Sequence, residues 1–288
     1  MTKQKTVNIP FTKMHGIGND YIYINCLESM PDNPSELSIE MSPRHTSIGS
    51  DGIILICPSK IADFKMRIFN ADGSEAMMCG NGSRCVGKYV YDHKLTDKTV
   101  LTLETLSGVK YLYLHVNDTT GKVDEVTVDM GVASFDCKAI GIDYPHDEMI
   151  EAPIKTNYGE KKITGVSMGN PHGVIFMDSL YGFDITAIGP ELEFNPMWHD
   201  RANIEFAEVI DRHTIRMRVW ERGSGETQAC GTGACATAVA AIRTGRADSP
   251  VTVKLSGGNL TVSVDQTTGH VMMRGGATEV FNGIYCPC

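Results

Sequence analysis

The chain has 288 residues, of which 42% are hydrophobic and 21% charged, and its net charge is −9 at pH 7. The length suits two domains, and the composition is that of a globular rather than a disordered protein. Because the charge is acidic and no apolar run approaches the roughly 20 residues of a membrane span, we expect neither a nucleic-acid nor a membrane partner.

The first half of the chain alternates strand-like runs with two helix-like segments. Helices are predicted at residues 35–44 and after Cys79, where Val86, Tyr89 and Val90 recur at helical spacing. Alternating apolar residues bounded by turn residues predict strands at residues 11–14, 21–26, 52–57, 64–69, 100–104, 109–116 and 123–129.

The second half repeats this order. Helices are predicted at residues 184–194 and after Cys230, where Cys235, Ala238, Val239 and Ile242 share one face. Strands are predicted at residues 162–168, 173–177, 204–210, 214–220, 251–255, 259–264, 270–273 and 278–285.

A single offset of 151 positions relates the two halves. It superposes Gly18-Asn19 on Gly169-Asn170, Asn70 on Glu221, and Cys79 on Cys230 without a gap. Glycine-rich turns can coincide by chance, but four landmarks in phase favour two copies of one mixed α/β domain. Equivalent loops of two such domains would meet at an interdomain cleft, where small ligands commonly bind.

Two short motifs occupy the same place in the two halves. They read Cys79-Gly80-Asn81-Gly82 and Cys230-Gly231-Thr232-Gly233, and each opens a helix-like segment. A helix N-terminus favours the thiolate, and glycines leave its N–H groups open to a carboxylate. The pair predicts that one thiolate removes a proton beside a carboxylate while the opposite thiol returns one to the other face. Such a reaction inverts the carbon without a metal or pyridoxal phosphate.

Two alternative readings of these cysteines exist. Each could be a buried apolar residue, as most free cysteines are. Cys79, Cys85, Cys230 and Cys235 could also be drawn as a zinc site, although their spacings of six and five are wider than the usual two to four.

The nine cysteines also bear on the compartment. Their number is odd and their spacing is unlike that of a small disulfide scaffold. Free thiols are typical of a reducing compartment, and residues 1–10 lack the apolar core of a signal peptide. We therefore expect a cytoplasmic protein in which Cys286 and Cys288 form a free tail.

Several motifs together resemble the diaminopimelate epimerase family over most of the chain. They are Met14-His15-Gly16-Ile17-Gly18-Asn19-Asp20, Asn70-Ala71-Asp72-Gly73-Ser74, Cys79 through Cys85, Gly169-Asn170-Pro171-His172, Asn203, Glu221-Arg222-Gly223, and Cys230-Gly231-Thr232-Gly233.

The resemblance implies an α+β fold of two pseudo-symmetric domains, each with mainly antiparallel strands wrapped around a central helix. The expected boundaries are residues 1–129 and 130–274, with 275–288 returning as a strand to the first domain. The implied activity interconverts the LL and meso forms of 2,6-diaminopimelate, on the bacterial and plant route to lysine. It needs no cofactor, and the enzyme is usually a homodimer.

The family's site residues carry over by motif. Cys79 and Cys230 are the implied acid/base pair, and Gly80, Asn81, Gly231 and Thr232 would hold the reacting carboxylate. Substrate contacts are implied for Asn19, Asn70, Asn170, Asn203 and Arg222, whereas His172 and Glu221 would line the reacting centre. The chain departs from the pattern at Gly52, where many relatives carry Gln, so the family's contact at that position is not carried over.

Two other functions compete with this interpretation. A related two-cysteine racemase would act on a proline-type amino acid that lacks the second ammonium and carboxylate of diaminopimelate. A zinc- or disulfide-dependent binding module would have no catalytic activity, and its fold would depend on the metal or the disulfide.

Overall fold

The computed structural model describes residues 8–287, which form 18 strands and five helices. The first half contains β1 (Ile9–Gly16), β2 (Asn19–Asn25), α1 (Pro34–Met41), β3 (Gly52–Cys57), β4 (Phe64–Asn70), β5 (Glu75–Ala76), α2 (Gly80–Asp92), β6 (Val100–Thr105), β7 (Gly108–Val116) and β8 (Val123–Val132). The second half contains α3 (Cys137–Ile140), β9 (Ala152–Thr156), β10 (Gly159–Ser167), β11 (Pro171–Met177), α4 (Ile185–Glu193), β12 (Asn203–Asp211), β13 (Thr214–Glu221), β14 (Gly225–Thr227), α5 (Gly231–Arg243), β15 (Val251–Leu255), β16 (Gly258–Val264), β17 (His270–Gly276) and β18 (Thr278–Tyr285).

The chain divides into two compact units. Unit 1 consists of the chain up to Val128 together with the segment from Gly276 onward, and unit 2 runs from Asp129 to Gly275. The last strand, β18, pairs antiparallel with β1, so unit 1 is built from both ends of the chain.

Unit 1 is a mixed and mainly antiparallel sheet. The antiparallel pairs are β18 with β1, β1 with β2, β3 with β4, β4 with β5, β6 with β7, and β7 with β8. Two pairs are parallel, namely β2 with β3 and β4 with β6. The helix α2 packs against β1, β2, β7 and β18, and most of its residues are buried.

Unit 2 has the same pairing scheme. Antiparallel pairs join β9 to β10, β10 to β11, β12 to β13, β13 to β14, β15 to β16, and β16 to β17. The parallel pairs are β11 with β12 and β13 with β15. The helix α5 packs against strands on several sides, which makes it the central element of this unit.

The offset of 151 positions extends from the sequence landmarks to the folded elements. The helix α2, at Gly80–Asp92, corresponds residue for residue to α5, at Gly231–Arg243. Two ion pairs repeat as well, because Arg67–Glu75 in unit 1 corresponds to Arg218–Glu226 in unit 2, each at 2.7 Å. The predicted duplication is therefore present in backbone, helix length and surface charge pairing.

Several local features differ from the predictions, and among them is the short helix α3, which was not predicted. The helix predicted at residues 35–44 ends at Met41, because Ser42 caps it and Pro43 cannot extend its hydrogen bonds. The strand β9 was not predicted, since Pro153 weakens its strand signal, and in the structure it pairs with β10. The loops before the two cysteines contain the short strands β5 and β14, which close hairpins on β4 and β13.

Two features bear on compartment and topology. Within residues 8–287, no helix is long and apolar enough to cross a membrane. The eight cysteines of this range are free, and of the predicted tail Cys286 is exposed while Cys288 lies outside the described residues.

Candidate active site

Cys79 and Cys230 occupy the same structural position, the N-cap of the central helix in each unit. Their backbone angles are nearly equal, with φ −138° and ψ 112° at Cys79, and φ −117° and ψ 111° at Cys230. The Cys79 sulfur accepts a hydrogen bond from the Gly82 N–H at 3.3 Å, and the Cys230 sulfur accepts one from the Gly233 N–H at 3.4 Å. A sulfur in this position lies in the positive field of the helix N-terminus.

Glycine at the third residue of each helix leaves room for a side chain from a neighbouring strand. A Cβ at Gly82 would lie 2.6 Å from Ile54 Cδ1, and a Cβ at Gly233 would lie 2.6 Å from Glu205 Oε1. A neighbouring strand therefore approaches each helix start closely enough to place one of its side chains beside the cysteine. The first-turn N–H groups of Gly80, Asn81, Gly231 and Thr232 belong to these same helix starts.

In unit 1, Asn19 links Cys79 to a charged network. The Cys79 thiol donates to Asn19 Oδ1 at 3.3 Å, while Asn19 Nδ2 donates to Asp51 Oδ2 at 2.8 Å. Arg44 bridges Asp51 and Asp20, and Asp20 also pairs with Lys13. Because Asp51 receives the Asn19 amide N–H, the network determines which way the Asn19 oxygen points.

Replacing Asp20 with Asn should lower the free energy of unfolding at neutral pH by on the order of 2 kcal/mol. Burial would raise the pKa of Asp20, but hydrogen bonds from Arg44 and Lys13 lower it below its ordinary 3.8. The stabilisation is therefore complete above 3.8 and lost as the pH falls through the lower folded-state value. Denaturant titrations at pH 7 and below 3.8 should show the difference shrinking. Asp143→Asn, at an exposed ion pair with His199, should show little effect; equal losses would contradict the prediction.

The remaining predicted residues of unit 1 lie close to the helix start in sequence. Asn70, the last residue of β4, donates from Nδ2 to Ser74 Oγ at 3.0 Å and is half-buried. Asn81 is buried in the first turn of α2. Neither observation tests a role in substrate binding, which remains a prediction.

In unit 2, four side chains form a continuous hydrogen-bonded chain that ends at Cys230. His172 Nδ1 lies 2.7 Å from Glu205 Oε1, and His172 Nε2 lies 3.0 Å from Asn170 Oδ1. Asn170 Nδ2 donates to Thr232 Oγ1 at 3.4 Å, and Thr232 Oγ1 lies 3.5 Å from Cys230 Sγ. The structure thus brings together three predicted residues and Cys230, with Glu205 at the far end of the chain.

Two carboxyl groups, those of the buried Glu205 and the half-buried Glu221, affect the Cys230 thiol. Burial raises the pKa of Cys230 well above its ordinary value, and the charges of Glu221 and Glu205 add to this, against hydrogen bonds from Thr232 and Gly233. The pKa of Glu221 is also raised, first by burial, although the Thr227 hydroxyl, which donates to its carboxylate, opposes this. These surroundings favour a protonated, proton-donating Cys230 in the unliganded protein.

Asn203 and Arg222 have internal partners. Asn203 Nδ2 donates to the Pro171 carbonyl at 3.0 Å, and its Oδ1 accepts from the Arg222 backbone N–H at 3.0 Å. The Arg222 guanidinium donates to Asp200 Oδ2 at 2.8 Å and is about one-third exposed. Asn203 therefore ties the Pro171 turn to the Arg222 loop, while a role for either side chain on substrate stays a prediction.

Glu205 is the site residue that sequence reasoning missed. It is fully buried in a strand predicted from its apolar pattern, whereas the other acidic residues of that strand, Glu208 and Asp211, are not buried. The offset of 151 would have flagged it, since it aligns Glu205 with Ile54. Within residues 8–287, no group of three or more His, Cys, Asp or Glu side chains is arranged to hold a metal ion, so the four-cysteine zinc alternative gains no support.

Comparison with known proteins places the chain in a family. The sequence profile of diaminopimelate epimerase matches residues 11–135 and 164–280, and each segment contains one of the two cysteine motifs. A diaminopimelate epimerase of Agathobacter rectalis is 52% identical over 283 residues, covering 95% of this chain and 98% of the relative. One from Methanococcus maripaludis is 48% identical over 273 residues, covering 95% and 98%.

Solved structures share the fold at much lower identity. A hydroxyproline epimerase from Agrobacterium vitis superposes with a TM-score of 0.69 and 17% identity, covering 98% of this chain and 93% of that one. A phenazine biosynthesis protein of the PhzF family from Bacillus anthracis gives a TM-score of 0.68 and 16% identity, covering 98% and 100%. These likenesses confirm the predicted mixed α/β architecture. With half of its residues identical to curated relatives over nearly the full length, the chain belongs to the diaminopimelate epimerase family.

Proposed function

We propose that this protein interconverts LL- and meso-2,6-diaminopimelate by a two-base mechanism in which Cys79 and Cys230 exchange the α-proton, as a step of lysine biosynthesis. One observation carries the proposal. Each cysteine caps a glycine-started helix, with its sulfur accepting the N–H of the third helical residue. At each helix start, a sulfur that can act as base or acid therefore lies beside the N–H groups of the first turn.

In the proposal, the N–H donors make the α-proton of the substrate easier to remove. Removing the proton beside a carboxylate moves negative charge onto the carboxylate oxygens, and preorganised donors stabilise that charge as it develops. In the proposal the backbone of Gly80, Asn81, Gly231 and Thr232 binds this carboxylate. The protein's own amides then supply the electrostatic stabilisation, and no cofactor is part of the proposed step.

The two sulfurs divide the proton transfer. One thiolate removes the α-proton from one face and becomes a thiol, while the other thiol gives its proton to the opposite face and becomes a thiolate. Inversion at the α-carbon follows, and the enzyme then holds the opposite protonation pattern. The next turnover in the same direction requires the two sulfurs to exchange protons with solvent.

Other polar side chains account for recognition of a ligand with two amino-acid ends. We propose that Arg222 binds the distal carboxylate, as a guanidinium suits a carboxylate, and that Asn19, Asn70, Asn170 and Asn203 orient the substrate. His172 and Glu221 line the reacting centre in this proposal. The half-buried Glu221 carboxyl is suited to accept hydrogen bonds from the substrate ammonium.

The proposal includes a homodimer in the cytoplasm. On β18, Val280, Phe281 and Ile284 are large apolar side chains with 45–63% of their surface exposed, which suits contact with a second copy. The free cysteines of the described residues are in keeping with a reducing compartment.

Incubation with LL-diaminopimelate in deuterium oxide tests the reaction. Under reducing conditions, which prevent the two thiols from oxidising, we expect the meso product to carry deuterium at the inverted α-carbon. Mass spectrometry after chiral separation measures both. Racemisation of proline without conversion of diaminopimelate would instead support the proline-type alternative. Stoichiometric zinc and unfolding by a chelator would point to the binding module.

A further inference from the structure

Glu205 differs in kind from its neighbours on β12. It lies between Ile204 and Phe206, and all three side chains are fully buried. A carboxyl group is costly to bury unless it is hydrogen-bonded, so its place in this strand needs an explanation beyond packing. An apolar side chain would pack at this position without that desolvation cost. The presence of a carboxyl group therefore suggests that it has a function.

The duplication supplies an internal comparison. The offset of 151 positions aligns Glu205 with Ile54, which is fully buried at the same place in unit 1. Both side chains lie against the third residue of the central helix, at 2.6 Å from a Cβ built on Gly82 or Gly233. Unit 1 therefore shows that the fold accepts an isoleucine at this position, and the carboxyl group is particular to the Cys230 half.

Glu205 connects to Cys230 through two routes. Its Oε1 lies 2.7 Å from His172 Nδ1, at the start of the hydrogen-bonded chain through Asn170 and Thr232 to the Cys230 sulfur. The same oxygen and the Cys230 sulfur lie within 2.6 and 3.2 Å of one point, the Cβ position of Gly233. The second oxygen, Oε2, is buried and has no hydrogen-bond partner within residues 8–287.

Further charged groups meet at the same place. Glu221 on β13 is the counterpart of Asn70 in unit 1, so a second carboxyl group replaces an amide near Cys230. His172 on β11 is the basic group that faces both carboxyls. The N–H donors at the N-terminus of α5 stabilise the Cys230 thiolate, whereas the two carboxyl groups disfavour it.

We propose that Glu205 is a positioning residue for Cys230: its buried carboxylate holds His172 through Nδ1 and keeps the adjacent Cys230 in its protonated, proton-donating form. This inference rests on the proposed function for its role in turnover. It makes the two halves chemically unequal despite their common fold, because only the Cys230 half carries the extra carboxyls. In the unliganded enzyme Cys230 is then the acid of the pair.

The test uses the full-length, unliganded protein and two variants. Glu205→Ile transplants the residue of unit 1, and Glu205→Gln keeps the shape but removes the charge. Each variant is alkylated with iodoacetamide across a pH series, and mass spectrometry follows the Cys230 peptide. In both variants we expect the midpoint of the alkylation rate of Cys230 against pH to be about one pH unit lower than in the wild type. At a fixed pH below the midpoint, Cys230 should then be alkylated about tenfold faster.

Glu208→Gln serves as the matched control. It makes the same substitution on the same strand, at a side chain that pairs with Arg216 and is not part of the Cys230 chain. Its alkylation profile should match the wild type. If Glu205→Ile and Glu205→Gln fold, by thermal melting, and leave the Cys230 midpoint unchanged, the inference is wrong.

The alkylation arm separates this inference from the proposed function, because it requires no turnover. If the midpoint shifts but the wild type does not convert diaminopimelate, the positioning role stands and the proposed activity fails. Where the wild type is active, the pH profile of kcat should move in Glu205→Gln with little change in KM, a pattern that loss of general stability would not produce.

Discussion

Cys79→Ala and Cys230→Ala are each expected to lower kcat for the epimerisation of LL-diaminopimelate by about 10³-fold or more, with the fold retained. Each variant lacks one of the two groups that we propose transfer a proton at the α-carbon, and such transfers contribute about 10²–10⁴-fold. Chiral chromatography of the product measures the loss. Cys286→Ser, at an exposed cysteine of the C-terminal segment, is the control and should keep wild-type activity.

Proton exchange sharpens this prediction. A single remaining sulfur can remove and return a proton on one face of the α-carbon only. Each variant should therefore exchange the α-proton of one stereoisomer for deuterium from solvent without inverting the α-carbon. The two variants should prefer opposite stereoisomers. Exchange of both isomers by both variants, or full turnover by the double variant, would rule out the two-base assignment.

Gly52→Gln is expected to destabilise the protein by about 3–5 kcal/mol, although the family resemblance implies that Gln is common at this position. Gly52 has φ +150°, and a Cβ there would lie 2.1 Å from the backbone oxygen of Phe69, on the paired strand. The oxygen is part of the sheet and cannot move aside as a flexible side chain would. Urea denaturation measures the loss.

A substitution at a second glycine distinguishes the effect of backbone strain from the effect of a steric clash. Gly121 has φ +65° and open space around its Cβ position, so Gly121→Ala should cost only about 1 kcal/mol of backbone strain. If Gly52→Gln were no less stable than Gly121→Ala, the strands β3 and β4 would have to adopt a backbone conformation that accommodates Gln. The departure from the family pattern at residue 52 would then be neutral rather than structural.

Local patterns predicted most of the secondary structure because they depend on neighbouring residues. The cysteine-glycine motifs marked both helix starts, since a glycine-rich turn before an apolar stripe is a local signal. Pro153 concealed β9, although β9 pairs with β10 in a local hairpin only two residues further along the chain. The predicted end of α1 was three residues too late, because the prediction ran through Pro43 although proline cannot extend the helix beyond the Ser42 cap.

The duplication, the two cysteine helix starts and the family could all be predicted from the amino-acid sequence, because each depends on residues that are close together or separated by one constant spacing. Tertiary structure alone decided what surrounds each sulfur. Glu205 is 25 positions before Cys230, and only the parallel pairing of β11 with β12, together with the close approach to Gly233, brings it between His172 and the thiol. Charge and burial at a site depend on such distant neighbours, so two equal motifs can have unequal chemistry.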